Sequence, residues 1–208
     1  MTPAQLRACF QQVLPGPTAH EAFAPYRQHF EAKATKPPKK AAVGLHFYLK
    51  NDGWHFLLIE RTSYDGQHSG QMAFPGGKAD PTDPHLEFTA RRESFEEVGI
   101  ATARGELLSE LTMVWIPVSG FEAHPFVFIH EHELTFRADP KEVAAIVEVP
   151  LSALLQPEAQ QFRTVQANPQ LKLKDVPCFI LQDRVVWGAT ALMLNEVRML
   201  VSASQETY

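Results

Sequence analysis

The sequence predicts an α/β protein, a mixed β-sheet held between helices, and three observations carry that prediction. Two apolar runs, residues 42–49 and 54–61, flank Asn51-Asp52-Gly53, a turn that favours a β-hairpin. Residues 84–98 have helix-start and helix-stop residues at their two ends. Further strand-like runs then lead to a second long helix at residues 188–203, and strands interleaved with helices pack most economically as layers around one sheet.

From the N-terminus, residues 3–14 and 19–32 are amphipathic and read as two helices separated by Pro15-Gly16-Pro17. The second runs into Lys33-Ala34-Thr35-Lys36-Pro37-Pro38-Lys39-Lys40, a basic stretch that suits a solvated connector better than a phosphate-binding arm. Residues 1–40 are therefore read as a helical extension with a basic linker, and residues 41–208 as the main domain of a single globular unit. A chain of 208 residues can bury one sizeable core. In the helix at 84–98, Asp83 suits the N-cap, Pro84 the first helical position, Glu87 the positive end and Gly99 a left-handed stop. Strands are predicted at about 109–117, 124–130, 144–149 and 178–187, with no internal repeat or low-complexity tract.

Composition narrows the function. The net charge is −5 with a pI near 6, which gives no electrostatic footprint for nonspecific nucleic-acid binding. Cys9 and Cys178 lack C-x-x-C spacing, so neither a disulfide framework nor a zinc site is suggested. No apolar run reaches the roughly 18 residues needed to span a bilayer, and no charged-then-apolar leader opens the sequence. The expected location is the cytoplasm, with no membrane partner.

The helix at 84–98 carries the chemistry. At about 100° per residue, Glu93, Glu96 and Glu97 fall within an arc of roughly 100°, while Phe88, Phe95 and Val98 lie opposite and are expected to pack. Like charges at this spacing repel by roughly 0.2–0.5 kcal/mol per pair, so an acidic stripe on a helix joined to Gly76-Gly77 asks for a cation. Clustered carboxylates suit hard divalent ions, Mg²⁺ or Mn²⁺, which in turn hold phosphate oxygens. The glycine pair lets backbone approach a phosphate without a Cβ in the way.

These residues resemble the Nudix box, a glycine followed by a glutamate and then R-E-U-x-E-E-x-G-U with U aliphatic. Arg92, Glu93, Glu96, Glu97, Gly99 and Ile100 match position by position. Ser94 stands where an aliphatic residue is usual, the interval from Gly77 to Arg92 is one residue longer than the common form, and Asp83 is nearest to the place of the missing upstream glutamate. Residues 57–77, LLIERTSYDGQHSGQMAFPGG, further resemble the segment preceding the box in the coenzyme A pyrophosphatase branch of the family, where a longer box is also usual. Gly66 occupies the position of that branch's usual arginine. Asp139-Pro140-Lys141-Glu142-Val143 is similar to the family's acidic loop, and Val186-Trp187-Gly188-Ala189-Thr190-Ala191 to the W-G-x-T-A helix start of the same branch.

The resemblance implies a Nudix-type α/β/α sandwich with a mixed sheet, and a hydrolase acting on phosphorus-containing anhydrides. It assigns metal ligation to Glu93, Glu96 and Glu97, with the Gly76 carbonyl completing the coordination, and draws the base from Glu93 or a loop acid. Glu142 is the loop candidate, and it reads equally well as an ordinary exposed glutamate. Arg92 is expected to orient Glu93 by a charge-assisted hydrogen bond. The expected catalytic set is thus Arg92, Glu93, Glu96 and Glu142, and the substrate-binding set is Arg61, Gly70, Gln71 and Gly77. Arg61 ends a strand from which it could reach a phosphate or simply face solvent; Trp187 and Phe74 could stack on an adenine or belong to the core. His68 has no visible partner and reads as a loop residue.

The implied substrate is coenzyme A or an acyl-CoA derivative, cleaved to 3′,5′-ADP and a phosphopantetheine. The alternatives are ADP-ribose, a dinucleotide or another nucleoside diphosphate derivative, or a silent nucleotide-binding regulator. A homodimer is compatible with the N-terminal helices, which read equally as a lid or a flank.

Overall fold

The computed structural model describes residues 1–24, 37–62, 70–168 and 171–205. Its organising strand is β1 (Lys39–Lys50). The sequence element that follows, β2 (Gly53–Arg61), pairs antiparallel with Phe47 to Lys50 and closes the predicted hairpin. Nearer its start, the same edge of β1 is occupied by β4 (Gly76–Lys78), which pairs with Ala41 to Val43. The other edge runs parallel to β7 (Phe121–His130), making the sheet mixed. Short β3 (Met72–Ala73) and longer β8 (Val143–Pro150) extend it from β2, while β5 (Glu106–Glu110) and β6 (Val114–Ile116) extend it from β7.

The period of two along β1 sorts its side chains onto two faces. Leu45 and Phe47 enter the larger core, together with Val127 and Ile129 of β7. Ala42, Gly44 and His46 face the opposite way, toward α3 (Leu86–Val98). The large core is closed by α5 (Gly188–Gln205), with α1 (Pro3–Phe10), α2 (Pro17–Glu21) and α4 (Leu151–Leu155) packed on it. This is an α/β/α sandwich. A second sheet, β9 (Gln160–Asn168), β10 (Leu171–Leu181) and β11 (Arg184–Val186), meets α5 at one end.

The N-terminal helices do not stand apart. Leu6, Cys9, Phe10 and Phe23 belong to the same buried cluster as Leu45, Leu192 and Val197. Helix α1 is started by a capping box, in which the Thr2 hydroxyl accepts from the Gln5 amide and the Gln5 side chain accepts from the Thr2 amide. It ends at Phe10 rather than residue 14, and α2 ends at Glu21, with residues 22–24 outside any helix; residues 25–32 of the expected second helix and 33–36 of the basic linker lie outside the described residues, while Lys39 and Lys40 start β1. No helix among the described residues is long and apolar enough to cross a membrane.

The strands differ from expectation in several places. The run 109–117 is two strands, β5 and β6, and the run 178–187 is broken by Gln182 and Asp183, both at positive φ, into β10 and β11. Strand β9 is not foreshadowed by the sequence, because QQFRTVQAN is polar and largely solvent-facing. Nor is β4, because two glycines read as a turn and have poor strand propensity.

Candidate active site

The site forms where β2 and β4 part along β1. Gly76 and Gly77 sit in β4, tied by the Gly44 amide to the Pro75 carbonyl (2.8 Å) and by pairing with Val43 and Ala42. Across them lies α3, and its close approach follows from what it buries. Thr89, Ala90 and Ser94 are small, and with Glu97 and Val98 they form the covered face. The expected packing of Phe88 and Phe95 is reversed: they are 36% and 49% exposed, whereas Glu97 is 1% exposed. Bulky rings on the covered face would hold the helix off β1, while small side chains let its glutamates reach the glycines of β4.

The helix ends also differ from expectation at one side only. Gly99 is the left-handed stop (φ 79°), its amide reaching the Phe95 carbonyl. At the start, His85 caps the helix through Nδ1, which accepts from the Phe88 amide (3.2 Å), and the helix opens at Leu86. Asp83 is freed from capping and serves Arg92.

The three glutamates have different surroundings. Glu93 packs against Gly77 so closely that a Cβ there would stand 2.5 Å from its carboxylate. Burial pushes its carboxyl above the ordinary range, against the pull of Arg92. Glu97 is the most enclosed: Oε2 accepts from the Gly76 amide (2.8 Å) and Oε1 faces Arg61 Nη1 (3.3 Å). Burial nevertheless pushes it up to about 7, with Glu93 and Glu142 adding repulsion to an environment that Gly76 and Arg61 only partly offset. Glu96 is the exposed one and turns back to Arg92.

Arg92 organises this face. Its Nε and Nη2 grip Asp83 Oδ1 and Oδ2 at 3.0 and 2.9 Å, a bidentate pair that holds the Asp83 carboxyl far below its usual range. With the guanidinium fixed, Nη1 points at Glu93 Oε1 (2.8 Å) and Glu96 Oε2 (3.0 Å). The orienting contact expected from the sequence is present, and its anchor is Asp83, the residue expected to cap the helix. Position alone could have hinted at this, since Asp83 occupies the place nearest the box's missing upstream acid. Arg91 acts elsewhere, pairing with Glu87 (2.8 Å) and donating to the carbonyls of Thr102, Arg104 and Gly105, which holds the chain after α3.

The remaining expected residues divide. Arg61 is engaged partly with Glu97, so it is held at the site and not loose on the surface. Gln71 lines the adjoining cavity, whereas Gly70 is exposed at positive φ and is not part of its wall. Glu142 is exposed, close enough to raise Glu93 and Glu97, and its carbonyl accepts from the Thr62 amide (3.0 Å). Phe74 is a core residue, while Trp187 is half-buried on the cavity wall. Gly66 and His68 lie outside the described residues.

The cavity starts at Gly76, Gly77, Lys78 and Arg61 and runs between Ile116–Val118 and the β9–β10 strands, with Trp187 and Met193 in its wall. Its volume is about 430 Å³, within the range of small-molecule sites. The cations gather at the glycine end and the rest of the wall is mainly apolar, which suits a ligand with an anionic end and a less polar remainder.

Whether these residues fit a metal ion can be judged from the donors. Among the described residues no three Asp, Glu, His or Cys side chains form a ready cage, because Arg92 draws Glu93 and Glu96 while Arg61 and the Gly76 amide draw Glu97. The trio shares a helix face without converging on one point. Its chemistry fits nonetheless: hard oxygen donors, Glu97 buried and Glu93 half-buried with their ionisation opposed by burial, are groups that a divalent cation would stabilise.

A family model described as NUDIX domain matches residues 38–168. The uncharacterized Nudix hydrolase NudL of Photorhabdus laumondii is 32% identical over 179 residues, 83% of this chain and 94% of that protein. NudL of Enterobacter sp. (strain 638) is 35% identical, over 70% of this chain and 74% of that one. Among solved structures, a MutT protein from Methanosarcina mazei Go1 is similar at TM-score 0.49 and 18% identity, covering 84% of this chain and 98% of that one.

Proposed function

Because the chain belongs to the Nudix family and is a hydrolase of pyrophosphate bonds, we propose that its substrate is coenzyme A or an acyl-CoA derivative, split into 3′,5′-ADP and the (acyl-)phosphopantetheine. One observation carries the substrate assignment. The two segments that resemble the coenzyme A pyrophosphatase branch, residues 57–77 and 186–191, are far apart in sequence yet line one cavity: Arg61, Gln71, Phe74, Gly76 and Gly77 come from the first, Trp187, Gly188, Ala189 and Thr190 from the second. They are joined by the Thr190 hydroxyl donating to the Met72 carbonyl (3.0 Å).

In this reading the diphosphate lies at Gly76 and Gly77 and the less polar portion of the substrate extends along the apolar wall. Glu93, Glu96 and Glu97, with the Gly76 carbonyl, would hold Mg²⁺ or Mn²⁺, which neutralises the diphosphate and makes the attacking water more acidic. Arg92 fixes Glu93 from the side of the helix, and Arg61 and Lys78 supply positive charge at the mouth. The proton leaving water passes to a carboxylate, Glu93 on the helix or Glu142 on the facing loop. Glu142→Gln separates these: it removes the acidic limb of the pH–rate profile if Glu142 is the base and leaves that limb in place if Glu93 is.

Gly66, where the branch usually has arginine, favours a second reading in which the same site cleaves ADP-ribose or a dinucleotide. The test is chromatographic product analysis with Mn²⁺ or Mg²⁺ against CoA, ADP-ribose and diadenosine polyphosphates. Release of 3′,5′-ADP from CoA as the dominant reaction supports the proposal; preferential cleavage of ADP-ribose or a dinucleotide replaces it with the second reading.

A further inference from the structure

On the covered side of α3, away from the glutamates' solvent face, three buried polar side chains form a line. Ser94 Oγ lies 2.7 Å from the Ala90 carbonyl and 2.9 Å from His46 Nε2, and His46 Nδ1 lies 3.0 Å from His130 Nε2. Ser94, His46 and His130 are all within 2% of full burial. The direction of the hydrogen bonds follows from the first contact. Ser94 has one hydroxyl proton and the Ala90 carbonyl can only accept, so the hydroxyl donates there and Oγ accepts from His46 Nε2–H. His46 Nδ1 is then the acceptor for His130 Nε2–H, leaving His130 Nδ1 as an acceptor with no hydrogen-bond partner among the described residues, as found.

Two glycines make room for this line. A Cβ on Gly44 would stand 2.6 Å from both His46 Nε2 and Ser94 Oγ, and one on Gly105 would stand 2.7 Å from His130 Cε1. His46 is also stacked on Phe128 with ring centroids 4.9 Å apart. Ser94 is the residue that departs from the aliphatic position of the box, and its partner comes from the strand that also holds β4: β1 pairs with Gly76 and Gly77 through Val43 and Ala42, and meets α3 through His46.

We infer that the Ser94–His46–His130 line is a positioning device that sets α3 against β1, and so sets Glu93 and Glu97 against Gly77 and Gly76. In this protein a directional hydrogen bond replaces the aliphatic contact. Ser94 is adjacent to Glu93 and one turn before Glu97, so a slip of the helix along β1 would break the 2.8 Å bond from the Gly76 amide to Glu97. Neither histidine touches substrate; both act through the helix.

The inference rests on the reading of Glu93 and Glu97 as metal holders only for one of its two readouts. The first is the Gly76 amide in the metal-free protein, followed by NMR in wild type, Ser94→Ala, His46→Phe and His46→Gln. Gln retains a donor near the place of Nε2, whereas Phe keeps the ring but no donor. Ser94→Ala and His46→Phe should shift the Gly76 amide proton upfield and quicken its exchange, His46→Gln should largely restore both, and the variant combining Ser94→Ala with His46→Phe should be no worse than the singles. The second readout is Mn²⁺ binding to the free protein by electron paramagnetic resonance, expected to weaken by about 10–100-fold in Ser94→Ala and His46→Phe, with kcat falling in parallel and KM little changed. Wild-type Gly76 amide behaviour in both variants overturns the inference, even if their melting temperatures drop. Failure of wild type to bind Mn²⁺ sinks the metal reading instead, and the amide readout still decides this one. Should Ser94→Ala fail to fold, the contrast of His46→Phe with His46→Gln decides alone.

Discussion

Gly77 lies directly beneath Glu93, with no space between its Cα hydrogens and the carboxylate for even a methyl group. Its neighbour Gly76 is confined differently, by backbone: an added Cβ would meet the Ala42 carbonyl oxygen at 2.4 Å and Val43 Cα at 2.6 Å. The two neighbouring glycines of β4 therefore predict opposite phenotypes.

Gly77→Ala displaces the end of a flexible side chain, which costs the fold little, but it moves Glu93 off β4. Activity should fall at least tenfold with a nearly unchanged melting temperature. Gly76→Ala presses on the β1 backbone and should destabilise by about 1–3 kcal/mol, roughly 2–12 °C at this length. Thermal melts beside initial rates check both, and equal melting losses in the two variants would contradict the geometry.

The Asp83–Arg92 pair makes a second prediction. Because Asp83 fixes the guanidinium that orients Glu93 and Glu96, Asp83→Asn and Arg92→Lys should each lower kcat by about 10–100-fold, with a smaller effect on KM. Lysine preserves charge but cannot span both Asp83 oxygens while pointing at Glu93. Steady-state kinetics decides this, and an Arg92→Lys enzyme of wild-type kcat would show that charge alone suffices.

A third prediction concerns acid stability. His130 is held down to about 4, first by burial and then by the charges of His132, Arg91 and Arg104. His46 is held well below its ordinary value by burial, then His130 and Arg91. Unfolded histidine titrates near 6.5, so from about 6.5 down to 4 the unfolded chain binds more protons than the folded one. Stability then rises with pH across that window and is lost as pH falls through it. Glu97, raised to about 7, works in the other direction between about 4.5 and 7, because its folded form holds the proton. Comparing wild type with His130→Gln isolates the histidine contribution: the variant should lose less stability between pH 7 and pH 5. Parallel melting curves would contradict it.

Much of the scaffold is legible in the sequence because it is local. The Asn51-Asp52-Gly53 turn, the alternation around it and the Gly99 stop each act within a few residues, and the hairpin and helix end follow from them. What escapes is non-local. Periodicity places Phe88 and Phe95 on one face and the glutamates on another, yet it does not reveal that β1 offers Gly44 to the helix, which selects the small side chains for burial. Ser94 is visible as an exception to the box, but its reason, His46, is on another element. Asp83 reads as a cap from its immediate neighbours; its partner Arg92 is reached across the first turns of the helix.

The central claim is that Glu93 and Glu97, set against Gly76 and Gly77 of β4, drive metal-dependent cleavage of a diphosphate. Its most direct test measures CoA hydrolysis with Mn²⁺ by wild type and Glu97→Gln, with products resolved by chromatography and folding checked by thermal melting. The expected result is 3′,5′-ADP and phosphopantetheine from wild type and at least a hundredfold less from the folded variant. Undiminished turnover by Glu97→Gln, or wild-type turnover that does not depend on the added cation, would contradict it.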